Sequence, residues 1–206
     1  KAPIDPLGKA SIGVARSWGP FVGCALLLTG WTFMYELFMA GIAGRLKIHY
    51  PVEGLRIFSF LMVLNTLICA ALAVVATRVL SQVVPSLVLG VVLTVGGVVL
   101  GVSSLEAIPL LFVAVLFLTL GEIIYGALGQ FLLIRSVPAS RRENTVYSYA
   151  ILVSNLGRML AAALAFPLIV HSTSPAWAGG VAIGVGVVSL VVLIVGRRQF
   201  TELAGG

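Results

Sequence analysis

Charge is scarce in this 206-residue chain: thirteen Lys and Arg and seven Asp and Glu make up 10% of the residues, against 60% that are hydrophobic. Soluble domains carry about a quarter charged residues, and the mean hydropathy of +1.13 lies far outside their range, so a water-soluble globular fold is excluded. Histidine is almost missing. His49 and His171 both fall in or beside loops, and the chain holds no His-Glu-x-x-His, no Gly-x-Ser-x-Gly and no pair of aspartates within an apolar run. A zinc, serine or aspartyl hydrolase working inside a membrane needs one of these constellations, so the chain reads as a non-enzyme with no metal and no cofactor. Only two cysteines occur, Cys24 and Cys69, each inside an apolar run where a thiol behaves as a small hydrophobe. The basic residues are not interleaved with aromatics, which removes the usual nucleic-acid footprint, and no repeated filter-like segment suggests an ion channel.

What the chain has instead is long apolar runs. About 20 such residues cross the hydrocarbon core as a helix, and six stretches qualify: 19–44, 57–77, 84–104, 108–134, 145–170 and 177–196. They are too continuous for membrane-barrel strands, which alternate over about ten residues. The fold class is all-α, a polytopic membrane protein with six transmembrane helices and the lipid bilayer as its solvent. Lys1, Lys9, Arg16, Arg78, Arg135, Arg141, Arg142, Arg197 and Arg198 fall on one side of that arrangement, and only Arg45, Lys47 and Arg56 on the other. The positive-inside bias therefore puts both termini in the cytoplasm. Residues 1–18 read as a cytoplasmic linker without the apolar core of a signal peptide, 19–196 as the bundle, and 197–206 as a cytoplasmic tail.

Pro20, Pro85, Pro109 and Pro175 stand at or near segment starts, where a missing amide proton costs little. Pro167 lies inside the fifth segment and is expected to bend it. Gly90, Gly96, Gly97 and Gly101 in the third segment, and Gly179, Gly180, Gly184 and Gly186 in the sixth, offer small faces on which helices can close up.

Three charges interrupt the apolar runs: Glu36, Glu122 and Arg158. Each costs about 2.5–3.5 kcal/mol at the bilayer centre on insertion scales, so each needs a partner or a watery cavity. At about 100° per residue, Glu122 shares its face with Thr119, Tyr125, Gly126 and Gly129, Arg158 with Ser154, Asn155 and Ala161, and Glu36 with Thr29, Thr32 and Ala40. Glu122 and Arg158 sit at matching depth in successive antiparallel segments, which predicts a buried ion pair. That pair either fixes helix register or belongs to a glutamate that exchanges protons. Glu36 has no cation at its own depth. The first and fourth segments each carry a central glutamate near a tyrosine, Tyr35-Glu36 and Glu122 with Tyr125, and enter from opposite sides, as in an inverted three-plus-three repeat.

The run Leu120-Gly121-Glu122-Ile123-Ile124-Tyr125-Gly126, followed by Arg135-Ser136-Val137-Pro138-Ala139-Ser140-Arg141-Arg142-Glu143-Asn144-Thr145-Val146-Tyr147, resembles the tenth helix, basic loop and eleventh-helix start of the major facilitator superfamily, in its drug:proton antiporter-like branch. Arg78 to Gly101 is similar to the eighth-to-ninth loop and the ninth helix, and Asn65 stands where many members have an asparagine. The chain departs from the family at Gly126-Ala127, where a proline is common, and at Arg142-Glu143-Asn144, where an Arg-Gly is.

The resemblance covers the whole chain and implies the C-terminal half of a twelve-helix secondary transporter in a bacterial inner membrane, exchanging a small organic molecule for protons. Its partner would be an N-terminal six-helix half or a second six-helix unit. Glu122, Glu36 and Arg158 would serve proton coupling, and Tyr35, Asn65, Tyr125, Gln130 and Asn155 would line the substrate cavity. The rival reading is a non-transporting six-helix subunit or scaffold of a larger membrane complex.

Overall fold

Without water to satisfy its amides, an apolar run must close its hydrogen bonds on itself, and every element among the described residues is helical. The computed structural model describes residues 18–79, 82–104, 107–137, 142–170 and 176–205. The linker 1–17, the basic loop around Arg141, and His171 through Pro175 lie outside them. Six spans are long and apolar enough to cross a membrane, the architecture of an integral membrane protein. They begin with α1 (Trp18–His49), α2 (Gly54–Val79) and α3 (Val83–Ser103). The fourth span joins α4 (Ile108–Gly121), a π-helical turn (Glu122–Gly126) and α5 (Ala127–Ser136) without a break. The fifth is α6 (Arg142–Ala165), which widens into a second π-helical turn (Phe166–Val170), and the sixth is α7 (Ala176–Val195). Pro167, which has no amide proton to give, sits in that second π turn, so the disturbance expected of it is taken up by a change of helix type.

Helix α1 is the axis of the bundle and touches α2, α3, α5, α6 and α7. Its contacts with α6 climb together along both helices: Phe21 meets Tyr149, Thr29 donates to the Val153 carbonyl at 3.4 Å, Gly157 lies on Thr29 and Thr32, and Gly41 lies on Ile169. The two helices are therefore parallel. Helix α3 is sandwiched between α4 and α7 and runs antiparallel to both, as the pairs Gly90 with Tyr125, Thr94 with Gly121, and Gly186 with Val95 record. Helices α2 and α6 flank the bundle with little cover: only 11% and 17% of their apolar windows are buried, against 50% for α1 and for the α4–α5 span.

The last residues do not hang free as a tail. Helix α8 (Arg197–Gly205) folds back on the bundle, burying Phe200 against Gly23 and Gly196 and burying Leu203 beside it. Arg135 of α5 donates from Nη1 to the Leu203 and Ala204 carbonyls, both at 3.0 Å, and lies over the Phe131 ring. One arginine thus satisfies the carbonyls that a helix end leaves open. Two apolar residues three apart in a basic nine-residue stretch are too short a pattern to mark this helix beforehand.

The glycine faces divide. Gly97, Gly101 and Gly186 take close neighbours, but Gly180 and Gly184 have nothing within 4 Å of where a Cβ would stand. Gly157 is the tightest position on α6, because a Cβ there would meet Thr32 Oγ1 and lie 2.6 Å from the Thr29 carbonyl oxygen. Gly157→Ala is therefore expected to lower stability by about 1–3 kcal/mol through forced separation of α1 and α6. Gly180→Ala should leave it unchanged or raise it by up to about 1 kcal/mol through helix propensity. Thermal unfolding of the two variants in one detergent, compared with the parent, checks the contrast.

Candidate functional site

Glu122 stands at the middle of the α4–α5 span, as the first residue of the π-helical turn. The turn is framed by two glycines that let neighbouring structure press in: a Cβ on Gly121 would meet Thr94, and one on Gly126 would lie 2.8 Å from the Trp31 ring. Turns of this type inside α-helices are rare and concentrate at functional positions.

Three helices converge on the Glu122 side chain, which is half-buried. From α2, Asn65 is buried and donates from Nδ2 to Glu122 Oε2 at 3.3 Å and to the Tyr35 hydroxyl oxygen at 3.4 Å. From α4, the buried Thr119 places Oγ1 2.5 Å from Asn65 Oδ1 and 2.7 Å from the Val115 carbonyl, so its one proton serves two acceptors. This contact fixes which end of the Asn65 amide faces the carboxylate. From α1 comes Tyr35, whose ring tilts against Trp31 with centroids 5.7 Å apart. Cys69, one helical turn along α2 from Asn65, also lies against the carboxylate. It is a neighbour of a polar group and not simply a buried hydrophobe.

The structure thus brings together Glu122, Asn65 and Tyr35, with Glu36 adjoining. Glu36 is half-buried, stands within electrostatic range of the Tyr35 hydroxyl, and makes no hydrogen bond among the described residues. Other expected members go elsewhere. Glu122 and Arg158 form no ion pair. Arg158 is exposed, because α6 turns its Gly157 face to α1 and so carries the next residue round toward the open side. It lies within electrostatic range of Glu122 without touching it. Tyr125 is fully buried, and its hydroxyl donates to the Leu27 carbonyl at 2.7 Å with Ser189 Oγ 3.0 Å away, so it ties α1, the π turn and α7 and stands apart from the Glu122–Asn65–Tyr35 cluster. Gln130 and Asn155 are exposed and remain apart from the buried cluster.

The π turn explains the displacement of Tyr125. A helix bonded from residue i to i+5 takes more residues per turn than one bonded to i+4, so each residue advances by less angle. Counting at the α-helical angle keeps Tyr125 on the Glu122 face, whereas the wider turn carries it into the α1–α7 seam. Thr119 precedes the turn and so keeps the face that the α-helical count assigns it. It was legible as part of the stripe, but its grip on Asn65 depends on how α2 packs, which no spacing within one helix encodes.

No family model matches this chain, and neither a curated protein nor a solved structure does. Among the described residues no group of His, Cys, Asp and Glu is placed to hold a metal ion. What the arrangement provides is a half-buried carboxylate in an apolar span, hydrogen-bonded by one amide, with a second carboxylate, Glu36, adjoining. Such a group is far cheaper neutral than charged when water is excluded.

Removing the amide should be felt most. Asn65→Ala takes the amide from the Glu122 carboxylate and the Tyr35 hydroxyl, leaves Thr119 with the Val115 carbonyl alone, and is expected to lower stability by about 1–3 kcal/mol. Tyr125→Phe removes one hydroxyl from the α1–α7 seam and should cost about 1 kcal/mol while leaving any proton-linked activity intact. Chemical or thermal unfolding of both variants, alongside proton flux in vesicles, separates the two roles.

Proposed function

We propose that this chain is half of a secondary transporter of the major facilitator type, which moves a small organic molecule coupled to protons by alternating access. The observation that carries the proposal is the Glu122 carboxylate at the start of a π-helical turn, held by Asn65 of a second helix and approached by Tyr35 of a third. A carboxylate that serves only to lock two helices is best placed opposite a cation. This one has a neutral amide that tolerates either protonation state, the property a proton-coupling group needs.

Two further features support the same reading. Helices α2 and α6 bracket the site with most of their surface bare, which leaves room for a second six-helix unit to complete a central path. The two glutamate-bearing spans, α1 and α4–α5, meet at the site, which is where an inverted three-plus-three repeat would put a binding position. In this proposal the termini are cytoplasmic, the membrane is a bacterial inner membrane, and Glu122 is the coupling residue with Glu36 as a second acid. A scaffold subunit would draw on the same bare flanks, but nothing in such a role calls for a glutamate held this way at a π turn.

The test uses the complete protein in vesicles loaded with a pH-sensitive dye. Addition of a transported organic solute is expected to change internal pH in the parent, and an imposed pH gradient to drive solute movement. Glu122→Gln, which keeps the shape and the hydrogen bond to Asn65, should abolish both while the protein stays folded. Undiminished pH-driven flux in Glu122→Gln would show the glutamate to be structural. Loss of assembly with no solute-linked flux in the parent would favour the scaffold.

A further inference from the structure

Two hydrogen-bond donors around the site have no acceptor among the described residues. Arg158 is exposed at the middle of α6, within electrostatic range of Glu122, and bonds to neither glutamate. Trp31 Nε1 is buried and without a partner among the described residues, in a ring that packs on Tyr35 and on Gly126 of the π turn. Indole and guanidinium groups donate only. Arg158 differs from the glutamates in one decisive respect, since a guanidinium stays charged at any accessible pH. It cannot reduce its cost at hydrocarbon depth by losing a proton, so it must face water or an anion. Asn155, one turn earlier and also exposed, adds a neutral polar group beside it.

From this we infer that Arg158 is the anchor for the carboxylate of the transported molecule, which makes the substrate a small organic monocarboxylate. The inference rests on the transporter reading and goes further by naming the chemistry of its cargo. Guanidinium and carboxylate match as a planar two-pronged pair. Dianions such as phosphate are disfavoured, because the Glu122 carboxylate adds negative charge within electrostatic range of Arg158. The groups facing Glu122 are Tyr35 and Glu36 from α1, Cys69 from α2 and, at longer range, Arg158 from α6. Helix α3 carries no ionisable side chain, and α5 carries only Arg135, which is engaged with α8. A carboxylate arriving at Arg158 cancels the positive charge that acts on Glu122 among the described residues, and a proton on Glu122 removes a like charge near the ligand. Ligand and proton therefore bind cooperatively and reciprocally. This predicts movement in the same direction, where the exchange implied by the sequence resemblance would require competition.

The experiment takes the complete protein in lipid nanodiscs with formate, acetate, propionate and benzoate at millimolar concentration, and benzylamine as the cationic control. Phenylglyoxal labelling of Arg158, read by mass spectrometry, reports whether the side chain meets water and whether a ligand shields it. Expected results are that Arg158 is labelled, that propionate or benzoate protects it and raises the unfolding midpoint, and that protection strengthens as pH falls. Arg158→Gln should weaken the ligand-induced stabilisation roughly tenfold or more in apparent affinity, and Arg158→Lys should recover part of it. Both variants should keep the ligand-free unfolding midpoint, since the side chain is exposed and unpaired.

The inference is overturned if Arg158 resists labelling, which would mean a partner helix covers it. It is equally overturned if none of the four carboxylates protects it, or if benzylamine does so as well. The two proposals fail separately. Carboxylate protection with undiminished pH-driven flux in Glu122→Gln would keep the ligand and remove the coupling residue, and the converse pattern would do the opposite.

Discussion

A carboxylate placed halfway along an apolar helix has no water to solvate it, and the bundle is arranged around that difficulty. The 3.3 Å bond from Asn65 to Glu122 requires α2 to lie against the α4–α5 span with a buried asparagine at one level. It requires Thr119 to hold the far end of the same amide, and Tyr35 of the axial helix to be near enough to share its donor. A change in rotation of any of these helices by one residue would leave a polar group alone in a medium where that costs several kcal/mol. The cluster therefore fixes helix rotation.

The π turn serves both ends of this arrangement. It begins at Glu122 and ends at Gly126, and its wider winding separates two side chains that an ordinary helix would keep on one face. Glu122 stays toward α2 while Tyr125 goes into the seam between α1 and α7, where its hydroxyl is consumed by Leu27 and Ser189. The helix thus carries a carboxylate toward α2 and a structural anchor inward within four residues. Gly90 makes room for the tyrosine backbone and Gly126 for the Trp31 ring, so the irregularity is matched by small residues on the facing and the same helix.

How much of this the sequence discloses depends on the range of the interaction concerned. The six spans follow from single stretches of about 20 apolar residues, because the solvent dictates them one helix at a time. Glu36, Glu122, Arg158, Asn65 and Tyr35 also stand out, since a polar residue in such a run is conspicuous on its own. Their mutual arrangement was not legible. Equal depth suggested a Glu122–Arg158 pair, but depth leaves rotation undetermined, and the rotation of α6 is set by Gly157 seating on Thr29 and Thr32. That contact turns the neighbouring arginine outward. Tyr125 was misplaced for a different reason, because a uniform 100° step cannot anticipate a change of winding. The glycines of α7 do not form one close-approach surface, since a Cβ at Gly180 or Gly184 would have no neighbour within 4 Å among the described residues.

The unequal cover of the helices bears on what surrounds this unit. In lipid, an exposed leucine costs nothing, so the bare apolar surface of α2 and α6 is not by itself a demand for a partner. Arg158 changes that reasoning. A permanent charge at mid-span is stable only beside water or a counter-charge, and Glu122, the acid within its electrostatic range, is hydrogen-bonded to Asn65 instead. Under the transporter proposal, Arg158 and the half-buried Glu36 and Glu122 would border an aqueous cavity completed by further protein, while exposed residues of α3 and α7 such as Leu89, Val92, Val187 and Val191 can border the bilayer. That is the condition under which a half-buried carboxylate could trade protons with its surroundings.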